Sequence, residues 1–345
     1  MARKKLRVLI VDDSLFMREF LSEAIAADKD LQVVGTAADA YEASDKLIKL
    51  KPDVMTLDIE MPKMNGIEFL KKFMPQHPLP VLVVSSASGL VFDAIEAGAV
   101  DFINKTDLSS TARRHAFIAE LIVKIKIASI ARVGRHKKPL AGNNALSGTK
   151  RPDQPIIGIG ASTGGTEAIY QLLKEMKRDL PGIVIVQHMP PVFTNLYAQR
   201  LNNTCPMEVK EAVDGDEILP GRALVAPGDF QMEVLKRGGK FGVRVYKGEK
   251  NSGHCPSVDT LFQSMAKVCG QNALGILLTG MGGDGAKGLL EMREKGAMTI
   301  GQDEASSVIY GMPKVAWDLG AVKEQLPLDG IPRAIYKWLD GFSKK

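Results

Sequence analysis

Pro155-Ile-Ile-Gly-Ile-Gly160-Ala-Ser162-Thr-Gly164-Gly-Thr-Glu-Ala-Ile169 joins an apolar run to a Gly-x-Ser-x-Gly turn and then to a helix-like stretch. The pattern predicts a buried strand, a sharp turn and a helix, which is the unit of an α/β sheet. A serine on such a turn is held out at the sheet edge, where its hydroxyl can attack a carbonyl. The glycines let the backbone turn sharply and keep side chains away from an incoming substrate. The stretch therefore proposes acyl transfer from an ester or an amide.

Outward from this turn the alternation continues. Ile183–Val186, Ala223–Ala226 and Leu274–Leu278 read as buried strands, and Glu167–Met176 as a helix. Residues 155–345 thus form one α/β domain. Residues 5–107 show the same alternation, with apolar runs at Leu6–Val11, Gln32–Thr36, Val54–Leu57, Val81–Val84 and Phe102–Ile103. Five strands separated by amphipathic stretches argue a parallel sheet covered on both faces. A closing helix is expected over 111–131, with Ile118, Leu121, Ile122, Ile125 and Ile130 on its apolar stripe. Residues 132–154, rich in Gly, Asn, Ser, Pro and Lys, read as a flexible linker. The expected division is 1–131, 132–154 and 155–345, with two doubly wound parallel-sheet domains.

The 345 residues suit about two domains of ~150 residues, and 45% apolar content allows sizeable cores. The net charge is +5, but residues 109–153 hold ten basic and two acidic side chains, so the rest of the chain is negative. A general nucleic-acid-binding surface is not indicated, and a solvated tether is the simpler reading of the basic segment. Three cysteines without metal-ligand spacing fit a reduced cytoplasm. The basic start is followed by too short an apolar run for a signal peptide, and no stretch is long enough for a membrane span.

Two constellations carry chemistry. In the first, Asp12 and Asp13 end the first strand, Asp58 the third, Ser85 the fourth and Lys105 the fifth. Sites in open parallel sheets assemble at this carboxyl edge. Three carboxylates there repel one another unless a divalent cation bridges them, and oxygen ligands favour Mg²⁺. Lys105 adds a charge able to pair with a phosphoryl oxygen, so the set suits an aspartate that accepts a phosphoryl group. Each acid alone is as well explained as a helix cap; it is their gathering on one edge that favours a site.

In the second, Ser162 needs a base. Of five histidines, His77 and His115 belong to the first domain and His136 to the linker. His188 ends a strand at the same edge as Ser162, whereas His254 lies in a polar loop and is less tightly placed. Asp284, on the glycine-rich turn after Leu274–Leu278, can orient the imidazole. The order Ser, His, Asp differs from that of α/β-hydrolases. Phosphate or dinucleotide binding by Gly158-Ile-Gly160-Ala-Ser-Thr-Gly164 is the main rival, although the spacing is off by one. No Gly-Lys-Ser/Thr ending supports a P-loop. Cys255, near His254, is an alternative thiol nucleophile, but a small buried or idle cysteine explains it better.

Leu9-Ile-Val-Asp-Asp13, Leu57-Asp-Ile-Glu-Met-Pro-Lys-Met-Asn-Gly66, Val83-Val-Ser-Ser86 and Ala97-Gly-Ala-Val-Asp-Phe-Ile-Asn-Lys105 resemble two-component receiver domains, which are flavodoxin-like. The resemblance implies phosphorylation on Asp58, Mg²⁺ held by Asp13, Asp58 and the Glu60 carbonyl with support from Asp12, and a switch pair of Ser85 and Phe102. Thr106 departs from the proline usual after the lysine. Ile159-Gly-Ala-Ser-Thr-Gly-Gly-Thr-Glu-Ala-Ile169, Val186-Gln-His-Met-Pro-Pro191, Val225-Ala-Pro-Gly228, Pro256-Ser-Val-Asp-Thr-Leu-Phe262 and Leu278-Thr-Gly-Met-Gly-Gly-Asp-Gly-Ala286 resemble the chemotaxis protein-glutamate methylesterase family. That resemblance implies a triad of Ser162, His188 and Asp284, a backbone oxyanion donor near Met281, an assisting hydroxyl at Thr163 and no cofactor in the esterase site. Val192 stands where the family pattern has glycine.

Together the resemblances imply a phosphorylation-activated, cytoplasmic, monomeric enzyme. Its substrates would be glutamate methyl esters and glutamines of chemoreceptors, and its phosphodonor a histidine kinase. The unphosphorylated receiver is expected to pack over the Ser162 edge. A response regulator with a non-enzymatic binding output remains open on residues alone; a DNA-binding output is disfavoured by the α/β alternation.

Overall fold

A computed structural model of the chain describes residues 4–105, 108, 110–133 and 155–343. The chain divides into two compact units, Met1–Arg135 and His136–Lys345. Most of the expected linker, residues 134–154, and Thr106 lie outside the described residues.

The first unit runs β1 (Leu6–Val11), α1 (Leu15–Ala26), β2 (Leu31–Ala37), α2 (Ala40–Leu50), β3 (Val54–Leu57), α3 (Gly66–Phe73), β4 (Val81–Ser85), α4 (Val91–Glu96), β5 (Asp101–Asn104) and α5 (Thr111–Ala128). Its parallel sheet has the order β2-β1-β3-β4-β5. β3 and β4 are wholly buried, as continuous apolar strands covered on both faces should be. Short polar residues start the helices by accepting free backbone N–H groups: Ser14 for α1, Asp39 for α2, Asn65 for α3 and Ser110 for α5. The expected apolar stripe of α5 is corrected. Phe117, Leu121, Ile125 and Ala128 are buried, whereas Ile118 and Ile122 are half-buried and Ile130 is exposed. The difference is a small rotation: aromatic Phe117 takes the seat on the sheet that Ile118 was expected to fill.

The second unit runs β6 (Ile156–Ala161), α6 (Gly165–Lys174), β7 (Ile183–Gln187), α7 (Phe193–Thr204), β8 (Glu208–Glu211), β9 (Arg222–Val225), β10 (Gln231–Arg237), β11 (Lys240–Tyr246), α8 (Val258–Val268), β12 (Ala273–Leu277), α9 (Ala286–Glu294), β13 (Met298–Gln302), α10 (Met312–Asp318), β14 (Glu324–Leu326) and α11 (Ile331–Ser343). Seven parallel strands follow the order β14-β13-β12-β6-β7-β9-β8, and β10 and β11 form a separate antiparallel pair. From β6 the chain builds outward on one side through β7; it later returns to build outward on the other through β12. The strand order therefore reverses between β6 and β12, and such a switch point leaves a crevice at the carboxyl ends of the strands. Val258, Leu261, Phe262 and Met265 of α8 are buried with Leu277, Leu289 and Met292 in the core beneath this crevice.

Candidate active site

Ser162 is fixed through its backbone. β6 and β7 pair up to Ala161 and Gln187, so Ser162 and His188 are the next residues on two adjacent strand ends. The Ser162 N–H donates to the Thr279 carbonyl at 3.0 Å, and the His188 N–H to the Ala161 carbonyl at 3.1 Å. Buried Gln187 spans both residues, its Nε2 donating to the carbonyls of Ser162 at 2.9 Å and His188 at 3.2 Å. The chain turns into α6 at Gly164, whose φ of +78° favours glycine. Across the crevice, a Cβ on Gly280 would lie 2.7 Å from the Ser162 Cβ, so a side chain there would displace the serine. The Thr279 hydroxyl donates to the Thr163 carbonyl at 3.0 Å and accepts from the Ile309 N–H at 2.9 Å, which ties the serine turn to β12.

Asp284 is buried and fully engaged. His188 Nε2 lies 2.8 Å from its Oδ2. The Val258 N–H reaches Oδ2 at 2.8 Å, and Oδ1 accepts from Ser257 Oγ at 2.8 Å and the Asp259 N–H at 3.0 Å. The carboxylate thus sits on the N-terminus of α8, whose free amides and dipole favour negative charge. Burial pushes the Asp284 carboxyl up, but the hydrogen bond and charge of His188 and these amides outweigh it and leave it below the usual range. With Nε2 donating to Asp284, His188 Nδ1 keeps its lone pair, and it is buried without a partner. Ser162 follows the adjacent strand, and no hydrogen bond joins its hydroxyl to this nitrogen.

The His254 ring stacks on His188, centroids 3.7 Å apart and planes within 7°. Burial, then the neighbouring His188 charge, lowers the His254 pKa from 6.5 to about 4, with Lys250 adding and Asp284 opposing. His254 is therefore neutral near pH 7. Between 6.5 and 4 the unfolded chain binds more protons than the folded one, so stability is full above 6.5 and falls as pH drops toward 4. His254→Phe keeps a stacking ring without the proton site. Its melting temperature, followed by circular dichroism, should fall less steeply over that window than that of the wild type; an unchanged slope would remove His254 as the cause.

In the first unit, Asp12 and Asp58 are buried, Asp13 is exposed, and one oxygen of each lies within 4.8 Å of the others. Lys105 Nζ lies 2.8 Å from Asp12 Oδ2 and also pairs with Asp58. Burial opposes its charge, but the two carboxylates win and raise its pKa. Burial likewise raises Asp12, against the pull of Lys105. Three carboxylates facing one ammonium leave negative charge on hard oxygen ligands, a donor set that fits Mg²⁺. The Glu60 N–H donates to Asp58 Oδ1 at 3.3 Å. Ser85 is buried, its Oγ accepting from the Ala87 N–H at 3.2 Å. Phe102 is buried edge-on to Phe92, centroids 6.2 Å apart.

The CheB methylesterase family profile matches residues 157–335, and the response regulator receiver domain profile matches residues 8–112. A protein-glutamate methylesterase/protein-glutamine glutaminase of Syntrophomonas wolfei is 54% identical over 341 residues, 99% of either chain. That of Salmonella typhimurium is 44% identical over 331 residues, 95% of either chain. The chain belongs to the CheB methylesterase family. The crystal structure of the Thermotoga maritima CheB methylesterase catalytic domain is 36% identical and superposes with a TM-score of 0.52, covering 53% of this chain and 98% of that one. Among the described residues, no helix is long and apolar enough to cross a membrane.

His188 and Asp284 are hydrogen-bonded, Ser162 follows the strand end next to that of His188, Thr163 is buried and Met281 is exposed. His254 needs correction: its ring is held stacked on that of His188 rather than loosely placed, and its backbone pairs with Asn251 in the loop before α8. Sequence reading also missed Ser257 and the α8 N-terminus. The available signal was Ser257-Val-Asp259, a helix-capping serine with an acid in the first turn.

Proposed function

We propose that this chain is a receiver-controlled protein-glutamate methylesterase and protein-glutamine glutaminase. His188 Nδ1 takes the Ser162 proton while Asp284 holds the proton on Nε2. Ser162 Oγ attacks the γ-carbonyl of a receptor glutamate methyl ester, forming a tetrahedral oxyanion. The Met281 backbone N–H would donate to this oxyanion, with the Thr163 hydroxyl assisting. The imidazolium then protonates departing methanol. Water, deprotonated by the same nitrogen, cleaves the acyl-enzyme and releases glutamate and Ser162. With glutamine, ammonia leaves instead. The observation that carries this reading is the 2.8 Å His188–Asp284 hydrogen bond, which leaves a lone pair on the nitrogen turned away from Asp284.

In the receiver, Asp58 accepts a phosphoryl group from a histidine kinase. Asp13, Asp58 and the Glu60 carbonyl would hold Mg²⁺, with Asp12 in support, and the ion would offset phosphoryl charge. Lys105 pairs with a phosphoryl oxygen, and Ser85 and Phe102 move to follow it. The unphosphorylated receiver restrains the esterase. The protein acts as a monomer in the cytoplasm on chemoreceptors.

Methanol release from methylated receptor membranes, with and without a small phosphodonor, tests both halves. A phosphodonor should raise the rate of the full chain by about 5–150-fold, the range of a typical coupling. Asp58→Asn should lose that response, and a fragment starting at residue 151 should run fast without it. A fragment no faster than the unstimulated full chain would remove the restraint.

A further inference from the structure

Gln187 is a buried polar residue to which the mechanism above gives no role. It is the last residue of β7, paired with Ala161 of β6, and it is 3% exposed. Its Nε2 donates to the Ser162 carbonyl at 2.9 Å and to the His188 carbonyl at 3.2 Å. Both acceptors are carbonyl oxygens, so the amide can sit only with its NH₂ toward them. An NH₂ group has two N–H bonds, and here they meet the backbones of the two residues that precede chemistry in the esterase reading.

The place of this tie is informative. The register of β6 and β7 ends at Ala161 and Gln187, one residue short of both Ser162 and His188. The His188 N–H still donates to the Ala161 carbonyl at 3.1 Å. Ser162 then enters the turn to α6, and His188 is followed by Met189-Pro190-Pro191, whose prolines have no N–H to donate. The Gln187 side chain thus links the two chains just past the point where regular strand pairing stops.

The link is kept at a cost to stability. Gln187 Oε1 is buried without a hydrogen-bond partner, which disfavours the folded state. The amide also needs glycine at the start of α6. A Cβ on Gly165 would collide with Oε1 and lie 2.5 Å from the Ala161 Cβ. Methionine at position 187 would fill a similar volume and leave no polar group to satisfy. Packing therefore does not account for a glutamine here, and an uncompensated buried acceptor beside reacting groups points to function.

We propose that Gln187 is a positioning residue for the esterase reaction. Its amide fixes the serine turn against the strand end that carries His188, and so sets the approach of the Ser162 hydroxyl to His188 Nδ1. The proposal rests on the esterase reading and adds a residue to it. Gln187 is buried and does not reach substrate, so its loss should slow the chemical step and leave substrate binding alone.

The test uses the full-length protein with a phosphodonor and methylated receptor membranes at varied concentration. Gln187→Met should lower kcat for methanol release by about 10–100-fold, the scale of a misplacement of about 1 Å. KM should stay within about twofold, and the melting temperature should equal that of the wild type or exceed it by a few degrees. A kcat within about twofold of the wild type overturns the proposal. So does a kcat loss accompanied by a raised KM, a lowered melting temperature or failure to fold, since each would make Gln187 a packing residue. Those outcomes leave the esterase reading standing as long as wild-type methanol release depends on Ser162. Release that survives Ser162→Ala removes that reading, and the proposal with it.

Discussion

Ser162→Ala is expected to lower methanol release from methylated receptor membranes by about ten thousand- to a million-fold, as removal of a serine nucleophile does elsewhere. The variant should fold normally. The structural bonds of Ser162 run through its backbone, to the Thr279 carbonyl, the Gly165 N–H and Gln187 Nε2, and alanine keeps all three. Its melting temperature should correspond to a change within about 0.5 kcal/mol. Activity and stability thus separate, which a merely structural serine would not allow. The same variant decides against the alternative thiol. Burial pushes the Cys255 thiol up, so its thiolate is scarce near neutral pH. Retention of more than a few per cent of the wild-type rate in Ser162→Ala would transfer the nucleophile elsewhere and undo the mechanism.

The legible parts of this chain are those whose information is local. β1, β3 and β4 are short apolar runs bounded by polar residues, and β6 is followed by a glycine turn; reading them needed only neighbours in sequence. Strand ends then set Ser162 beside His188, because a parallel sheet gathers every carboxyl terminus on one edge. Elements without such a signature escaped. β14 is three half-buried residues at the sheet edge, and β13 mixes threonine, glycine and glutamine into a buried strand. β10 buries Met232 and Val234 while exposing Lys236 and Arg237, so only part of it reads as a strand. The support around His188 and Asp284 escaped for a different reason. Ser257 and Asp284 are far apart in sequence, and His254 and His188 farther still, so their contacts follow from how α8 returns over the sheet. The sequence names Ser162, His188 and Asp284 as candidates; the fold alone shows what holds them.

Asp284→Asn should be nearly as damaging as loss of the serine, through the proton on His188. The carboxylate accepts four hydrogen bonds, two on each oxygen. An amide offers one acceptor oxygen and one donor NH₂. If the NH₂ faces His188, it meets the Val258 N–H donor and forces Nε2 to accept. The imidazole proton then moves to Nδ1, the nitrogen that should take the Ser162 proton. If the NH₂ faces the other way, the tautomer survives but the Asp259 N–H is left opposite a donor at the buried start of α8. Either orientation breaks one function of the carboxylate. Activity should fall by about 10³–10⁴-fold, as for a triad with the wrong tautomer, and stability by about 1–3 kcal/mol for a buried donor without a partner. The pH dependence has a definite sign. The Asp284 carboxyl titrates below its ordinary 3.8 in the folded chain, so its contribution is present above that value and is lost as pH falls through the lowered one. The melting-temperature gap between wild type and Asp284→Asn should therefore hold steady from neutral pH down to the ordinary value and close only in stronger acid. A gap that closes between pH 7 and 5, or an asparagine variant with near-normal methanol release, would mean that Asp284 does not set the His188 tautomer.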